Sequence, residues 1–599
     1  MGTNWTSPTS QASKQNFTHA PVFKSKLGSH SQWVNGKCNF EKTLRDSKCR
    51  YMLPGMRNFF TRVLMLTAVA ALAIAQTPSA PVTFERIQNS NREPQNWLAY
   101  SGNNMGQRYS LLAQITPQNA KSLEMAWLWQ ARSTEKFEAT SIVLDGVLYT
   151  IQAPNDVVAL EAKTGRPIWT YPYRNLAEAR NCCGQVNRGL AILGETLFMG
   201  TLDAHIIALD AKAGTLLWKT KVAEAKDRYV ITHAPLVVKD KVIVGTAGGD
   251  GGAPGIIAAF DVKTGTEIWR FNTIPQSGEP GNETWSGDSW KRGGAGVWQI
   301  GAYDPESNLT YWGTGNPAPD WDGRQRLGDN LYSDSVVALD ADTGKLKWHY
   351  QFTPHDEMDY DAAQVPVLAD MPWPNAQSPR RKLMLWANRN GLMYVLDRSN
   401  GQFLMGKPFV KVNWMDGFDA KGRPKRVPGM VPSKEGTLIM PTVNGGTNWY
   451  PPSYSPNTEL FYIPGWENTG SIAIEGGGQP RTVGNIPPGA PNLLPPNTRP
   501  ESEGYGFVRA FDMRTGDRKW EFKMNDVTYA GVLSTASDLV FSGGREGYFY
   551  ALNARTGELL WRTALGGQVN SAPMSYMVDG KQYVTIAAGS SLFAFRLKE

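Results

Sequence analysis

Cysteine is scarce in this 599-residue sequence, with only Cys38, Cys49, Cys182 and Cys183 present. No Cys-x-x-Cys-His occurs, which excludes a covalently attached haem. The glycine-rich run Thr246-Ala247-Gly248-Gly249-Asp250-Gly251-Gly252 lacks the Lys-Ser/Thr of a phosphate-binding loop, which excludes a nucleotide reading there. Long apolar runs are missing too. Residues 63–75 form an apolar stretch too short to span a membrane.

That stretch follows the basic segment Met56-Arg57-Asn58-Phe59-Phe60-Thr61-Arg62 and ends in Ala73-Ile74-Ala75 before Gln76, the pattern of a secretory signal peptide. We expect Met56 to be the true start, residues 1–55 an upstream non-native extension, and residues 56–75 the signal. These leaders hold ten Lys/Arg and two Asp/Glu, so the remainder carries 51 basic against 52 acidic residues, and the formal charge of +7 becomes −1. No basic footprint for nucleic acid or a membrane face survives. Export would leave Cys182 and Cys183 as the only cysteines, in an oxidising compartment. Adjacent Cα atoms lie about 3.8 Å apart, whereas disulfides favour roughly 4.4–6.8 Å. The pair is therefore either two reduced thiols or a strained ring with a hard, flat side, and export without another partner favours the ring.

What the sequence has in plenty is a repeat. Ala159-Leu160-Glu161-Ala162-Lys163-Thr164-Gly165 is followed four residues after its glycine by Trp169. The pattern returns with Gly214 and Trp218, Gly265 and Trp269, Gly344 and Trp348, Gly516 and Trp520, and Gly557 and Trp561; a degenerate copy ends in Gly401 and Met405. Each copy reads as strand, turn, strand, and further short strands lie between copies, so four strands per unit predict β-propeller blades. Met125-Ala126-Trp127-Leu128-Trp129 resembles an outer strand without a blade, while residues 571–597 supply three strands without a closing tryptophan. Joining the two ends completes an eighth blade and removes the open edge. The expected fold is all-β, a single eight-bladed propeller over residues 76–599, with the tryptophans packing between blades. Pro/Gly-rich insertions at 275–296, 415–448 and 470–504 should lie on one face.

Polar residues gather at blade loops. Asp250 lies in the glycine-rich turn, Asn316 in Gly313-Thr314-Gly315-Asn316-Pro317, and an acidic run covers Thr353-Pro354-His355-Asp356-Glu357-Met358-Asp359-Tyr360-Asp361. Each alone reads as a turn residue; together, oxygen ligands on three loops suit a hard cation.

From about Trp97 onward the chain resembles the pyrroloquinoline quinone (PQQ) alcohol and methanol dehydrogenases. The resemblance is carried by Cys-Cys-x4-Arg, Trp-Gly-Thr-Gly-Asn and Thr-Pro-His-Asp-x2-Asp-Tyr-Asp, in the family's order. It implies PQQ sandwiched between a Cys182–Cys183 disulfide and Trp298. Glu138, Arg188, Thr232, Gly248 and Gly249 would hold the cofactor's carboxylates and carbonyls, with Asn448 and Trp449 a further contacting pair. Arg389 would stand beside the quinone oxygens. Asp250, Asn316 and Asp359 match metal ligands, and Asp359 is also the expected base. Asp250 is one methylene shorter than the family's usual glutamate, and Gly296 replaces a frequent threonine. Asp361, where calcium-dependent members carry a small neutral residue, resembles the lanthanide-dependent branch; three carboxylates suit a trivalent ion better than two, with Ca2+ the alternative. His355 reads as a hydrogen-bonding neighbour and Glu357 as the reserve base.

The implied reaction is oxidation of a primary alcohol to an aldehyde in the periplasm, by hydride transfer to metal-activated PQQ. Electrons would pass to a separate, soluble cytochrome c, and a homodimer is left open. Two alternatives stand beside this: a quinoprotein for sugars, polyols or aldehydes, and a non-enzymatic propeller scaffold. The scaffold would be a lipoprotein with cysteine after the cleavage site, where this chain has Gln76. The expected thiol count of the exported chain under denaturing, non-reducing conditions is zero; two titratable thiols would establish the reduced pair.

Overall fold

The computed structural model describes residues 80–176, 183–476, 481–483 and 504–599. The leader segments 1–55 and 56–75, together with Cys182, lie outside the described residues. Eight four-stranded antiparallel sheets form the blades of a ring. Their innermost strands are, in chain order, Ile142–Leu144, Ala191–Leu193, Leu236–Val238, Ala302–Asp304, Val367–Pro372, Ser453–Ser455, Leu533–Thr535 and Met574–Val578. We number the blades 1 to 8 accordingly. Within each blade the second and third strands are nearly continuous apolar runs buried on both faces, as in Asp156–Glu161 and Lys241–Gly245. The outermost strands alternate and are half exposed, as in Pro167–Tyr171, because only one side meets another sheet.

The eighth blade closes the ring as the repeat predicts. Leu123–Gln130 pairs antiparallel with Ser591–Leu597, bringing Trp127 opposite Ala594. That register matches Ala159 opposite Trp169 in blade 1.

The fixed tryptophan-to-glycine spacing has a single cause. Six of the outer-strand indoles, all but that of Trp561, lie on the turn of the following blade, where the repeat glycine sits in the left-handed region. Gly214 has φ 67°, and a Cβ there would come 2.5 Å from the Trp169 ring; any side chain would be strained and would collide. The same juxtaposition joins Trp127 to Gly165, Trp218 to Gly265, Trp269 to Gly344, Trp348 to Gly401 and Trp520 to Gly557. The indole N–H then donates to a carbonyl of that same turn, Trp127 to Ala162 at 3.0 Å and Trp520 to Ala554 at 2.9 Å. Trp348 docks on Gly401, yet its buried Nε1 has no hydrogen-bond acceptor among the described residues.

A segment preceding the ring braces it from within. Trp97 bridges to Val143 of blade 1, and Asn104 Nδ2 donates to Val237 of blade 3. Leu368 of blade 5 donates its N–H to the Met105 carbonyl, and Tyr454 of blade 6 to that of Gln107. Arg108 is fully buried and donates to the carbonyls of Tyr100, Val532 and Pro573. Tyr109–Ser110 adds a fifth, parallel strand to blade 7.

Strand direction decides where function can gather. Fourth-to-first connections between blades and second-to-third connections within blades open on the same face. The insertions at 415–448 and 470–504 leave from that face and form small sheets of their own, Met415–Phe418 with Pro424–Arg426, and Thr437–Ile439 with Gly470–Ala473 and Arg481–Val483.

Replacing Trp520 by Phe removes a satisfied hydrogen bond, whereas the same change at Trp348 removes an orphaned donor. The first is expected to cost about 1 kcal/mol more in denaturation free energy than the second; equal losses would show that the bond contributes nothing.

Candidate active site

All the candidate residues fall on those two sets of connections. Glu138, Arg188, Thr232, Trp298, Asp359 with Asp361, and Asn448 with Trp449 precede the innermost strands of blades 1 to 6. Gly248, Gly249 and Asp250 follow the second strand of blade 3, Asn316 that of blade 4, and Arg389 that of blade 5.

On the side of blades 1 to 4, Arg188 is buried and pairs with Glu138 Oε2 at 2.8 Å. Its guanidinium carbon lies 5.2 Å from the Trp298 ring centroid and 4.9 Å from that of Trp449, within cation–π range of both indoles. Arg188 Nε is buried without an acceptor among the described residues. Thr232 takes the Arg188 N–H on its carbonyl at 3.0 Å and donates its hydroxyl to the Trp298 carbonyl at 3.2 Å. Burial pushes the Glu138 carboxyl up, against the pull of Arg188. Cys183 is disulfide-bonded and exposed.

The glycines have a geometric reason. Gly248 adopts φ 117°, and a Cβ there would lie 2.3 Å from the Arg228 carbonyl. Gly249 packs against Gly296, whose own Cβ would stand 3.3 Å from the Gly249 nitrogen. A threonine at 296 would press on this turn, so the two glycines go together.

On the side of blades 3 to 5 the site is acidic. Arg389 donates to Asp359 Oδ2 at 2.8 Å, to Asp361 Oδ2, and to the Val443 carbonyl at 2.5 Å. Asp361 Oδ1 accepts the Asn316 N–H at 2.8 Å. A Cβ on Gly315 would lie 2.4 Å from that same oxygen. Asp359 has φ 60°, a left-handed conformation for a residue with a side chain. The turn that carries it is fixed by buried Asp356, which accepts the N–H groups of Met358 at 3.0 Å and Tyr360 at 2.7 Å. Strained backbone held by its surroundings is common at functional sites.

Asp320 joins this group although the sequence reading did not single it out. It lies four residues past Asn316 and accepts that residue's Nδ2–H at 2.8 Å. Burial, then the charges of Asp250 and Asp361, push its carboxyl up to about 8. The Asp359 carboxyl is raised well above its usual range, mainly by burial; Arg389 opposes this while Asp361, Asp250 and Asp320 add to it. Asp250 is raised by the protein mass around it and then by Asp361, although its side chain keeps an accessible face. Burial alone would lower Arg389, but Asp359 and Asp361 outweigh it and hold the guanidinium above its ordinary value. Behind them Asp334 is wholly buried with neither carboxylate oxygen bonded among the described residues, and burial with Asp356 and Asp361 raises it well above normal.

Glu357 pairs with Arg426 at 3.1 Å and so is engaged elsewhere. The His355 ring faces the Gly328 carbonyl at 2.8 Å, the hydrogen-bonding neighbour that the sequence suggested. Arg326 was missed as well. It is fully buried and spans the carbonyls of Pro319, Asp320 and Asp356. Nothing local in the sequence marks it, whereas Asp320 could have been found as an acid in the same loop as Asn316.

The donor set fits the groups that the resemblance implies. Two guanidiniums and two indole faces suit a flat, polyanionic ring. Four carboxylates around Arg389 leave negative charge that a cation would offset. Among the described residues no three acidic, His or Cys side chains are already drawn into a ligand set; Arg389 takes up oxygens of Asp359 and Asp361.

The sequence model described as the glucose/ethanol/alcohol dehydrogenase β-propeller domain matches residues 97–413. The quinoprotein alcohol dehydrogenase PedH of Pseudomonas putida is 36% identical over 548 residues, covering 87% of this chain and 90% of that protein. The chain belongs to the PQQ-dependent alcohol dehydrogenase family. Within it, the lanthanide-dependent methanol dehydrogenase of Methylacidiphilum fumariolicum is 36% identical, over 87% of this chain and 90% of that one. The solved quinohemoprotein alcohol dehydrogenase ADHIIG of P. putida HK5 superposes with a TM-score of 0.79 at 34% identity, over 87% of this chain and 83% of its own. Residues 504–598 also match the sequence model of the outer membrane protein assembly factor BamB.

Next to Thr232 lies His233, fully buried, with Nε2 accepting the Gly245 N–H at 2.9 Å and Nδ1 facing the Ala234 carbonyl at 2.8 Å. That pairing requires the neutral ring, and burial pulls its pKa down to about 4. The unfolded chain takes up this proton near pH 6.5 while the folded one does not. Stability is therefore expected to fall as pH drops from about 6.5 towards 4, by up to about 1.4 kcal/mol per unit from this residue. Denaturation midpoints at pH 7 and 5 should show a shallower difference for His233→Gln; an unchanged difference would assign the loss elsewhere.

Proposed function

We propose that this chain is an exported, periplasmic enzyme that oxidises primary alcohols to aldehydes and hands the electrons to a separate cytochrome c. What carries the reading is the convergence of Asp359, Arg389, Asp361 and Asn316, together with an arginine within cation–π range of two indoles. Family membership supports the reaction class, and the relatives' names support an alcohol as substrate. PQQ, when bound, supplies the two-electron acceptor, and a metal ion supplies a Lewis acid beside it.

The chain's own residues divide the remaining work. Arg188, Thr232, Gly248, Gly249, Asn448 and the paired Glu138 hold and orient the cofactor's polar edge. Trp298 would wall one flat face and a Cys182–Cys183 disulfide the other, with Trp449 a further contact beside Asn448. Asp359 takes the substrate hydroxyl proton on a carboxylate oxygen; its raised affinity for protons makes it a stronger base once ionised. Arg389 holds Asp359 Oδ2 and places positive charge where electron density accumulates. Asp250, Asn316, Asp359 and Asp361 would hold the ion. Asp361 adds a third carboxylate and favours a lanthanide(III) over Ca2+, a preference in line with the lanthanide-dependent relative. Assembly into a homodimer is compatible with this reading.

Asp359→Asn is expected to lower turnover at least about 100-fold while keeping PQQ bound, whereas Trp298→Ala should fail first at cofactor retention. Turnover on an alcohol panel and PQQ absorbance after gel filtration separate the two; near-normal turnover of Asp359→Asn would move the base elsewhere. Apo-protein reconstituted in parallel with lanthanum and calcium at equal PQQ should be more active with lanthanum. Full activity with calcium and none with lanthanum would overturn the metal assignment and leave the reaction class standing.

A further inference from the structure

Asn316 offers its side-chain oxygen to a cation only if its amide is held the right way round. An amide can turn over with little change of shape, so its neighbours decide which atom faces the site. Here Nδ2 donates to Asp320 Oδ1 at 2.8 Å and to the Pro317 carbonyl at 3.3 Å, while the backbone N–H donates to Asp361 Oδ1 at 2.8 Å. Turning the amide would set its oxygen against a carboxylate and a carbonyl. In the orientation observed, Oδ1 accepts no hydrogen bond among the described residues and is the one atom of the group left for a ligand.

Asp320 is itself held firmly. Arg326 Nη2 donates to the Asp320 carbonyl at 3.3 Å and Nε to the Pro319 carbonyl at 3.0 Å. The same guanidinium bonds the Asp356 carbonyl and, at 3.0 Å, Asn330 Oδ1. One buried arginine thus ties the Asn316–Asp320 loop of blade 4 to the turn bearing Asp359 and Asp361. Asp250, reaching in from blade 3, is a short acid, so negative charge supplied from a neighbouring blade has a use.

We propose that Asp320 is a positioning residue of the cation site, holding the Asn316 oxygen towards the ion and adding a carboxylate that offsets the short reach of Asp250. This rests on the reading of the site as a metal-assisted PQQ centre. Groups that orient metal ligands through hydrogen bonds commonly control affinity by about 10- to 100-fold.

The test is titration of the PQQ-loaded protein with europium(III), comparing wild type with Asp320→Ala and Asp320→Asn, with thermal midpoints recorded for each. Affinity and the number of ion-bound waters are read from luminescence decay in H2O and D2O. Asp320→Ala, which loses both acceptor and charge, is expected to weaken binding by about 10- to 100-fold. Asp320→Asn keeps an acceptor for the Asn316 Nδ2–H and should lose less, with an unchanged water count. Wild-type affinity in both variants would overturn the proposal while leaving the metal reading intact. One extra bound water in both variants would also overturn it, making Asp320 a direct ligand. Wild-type protein that takes up no europium would defeat the metal reading and the proposal together.

Discussion

The ring depends on an indole lying flat on a glycine. At six of the eight seams the outer strand of one blade is fixed to the turn of the next by that contact, and at five of them also by an N–H to carbonyl bond in the same turn. Because the docking is repeated, it sets the spacing and rotation of successive blades. The connections of blades 3, 4 and 5 are thereby brought to one mouth at distances where single hydrogen bonds link them, as Asn316 of blade 4 bonds the acid turn before blade 5. A glycine with any side chain would displace not one loop but the angle between two blades.

Against that rigid frame, the acidic pocket is an electrostatic problem only partly solved. Arg389 is one cation among Asp250, Asp320, Asp359 and Asp361, with Arg326 behind Asp320. Three of these acids hold their protons more tightly than free carboxylates, which is the expected response when negative charge is confined without compensation. A pocket of this kind trades stability for a demand that an added cation satisfies. The fully buried Asp334 behind it, unbonded among the described residues, sharpens the same imbalance.

Much of the fold could be read from the chain because its signals are local. Tryptophan four residues after glycine is a spacing within one hairpin, and even the composite blade was legible, since Met125-Ala126-Trp127-Leu128-Trp129 looked like an outer strand lacking its sheet. The site residues stood out where they lay in unusual short motifs, and the structure brings Arg188, Thr232, Trp298 and Trp449 together, as it does Arg389, Asp359, Asp361 and Asn316. Arg326 and Arg108 were not legible, for one reason, whereas Asp320 shares a loop with Asn316 and was within reach of the same motif. Each arginine does its work largely through backbone carbonyls, some of them distant in the chain, and an arginine that serves three backbone oxygens has no spacing to betray it. The insertion at 415–448 looked like loop and proved to contain short paired strands, because Met415–Phe418 and Pro424–Arg426 pair only with each other.

The seam in blade 8 bears on how the molecule is made. Leu123–Gln130 finds its partner in Ser591–Leu597, among the final residues of the chain. The brace at 97–110 likewise waits for blades 5, 6 and 7 before its carbonyls and N–H groups are satisfied. Neither can be completed while the far strands are still being synthesised, and closing so long a loop carries an entropic cost that nearby contacts do not repay. Any blades formed before the last strand arrives leave an unpaired edge open. Exposed edges recruit other chains, so the interval between first blade and last is when this protein is most vulnerable to association with its own kind.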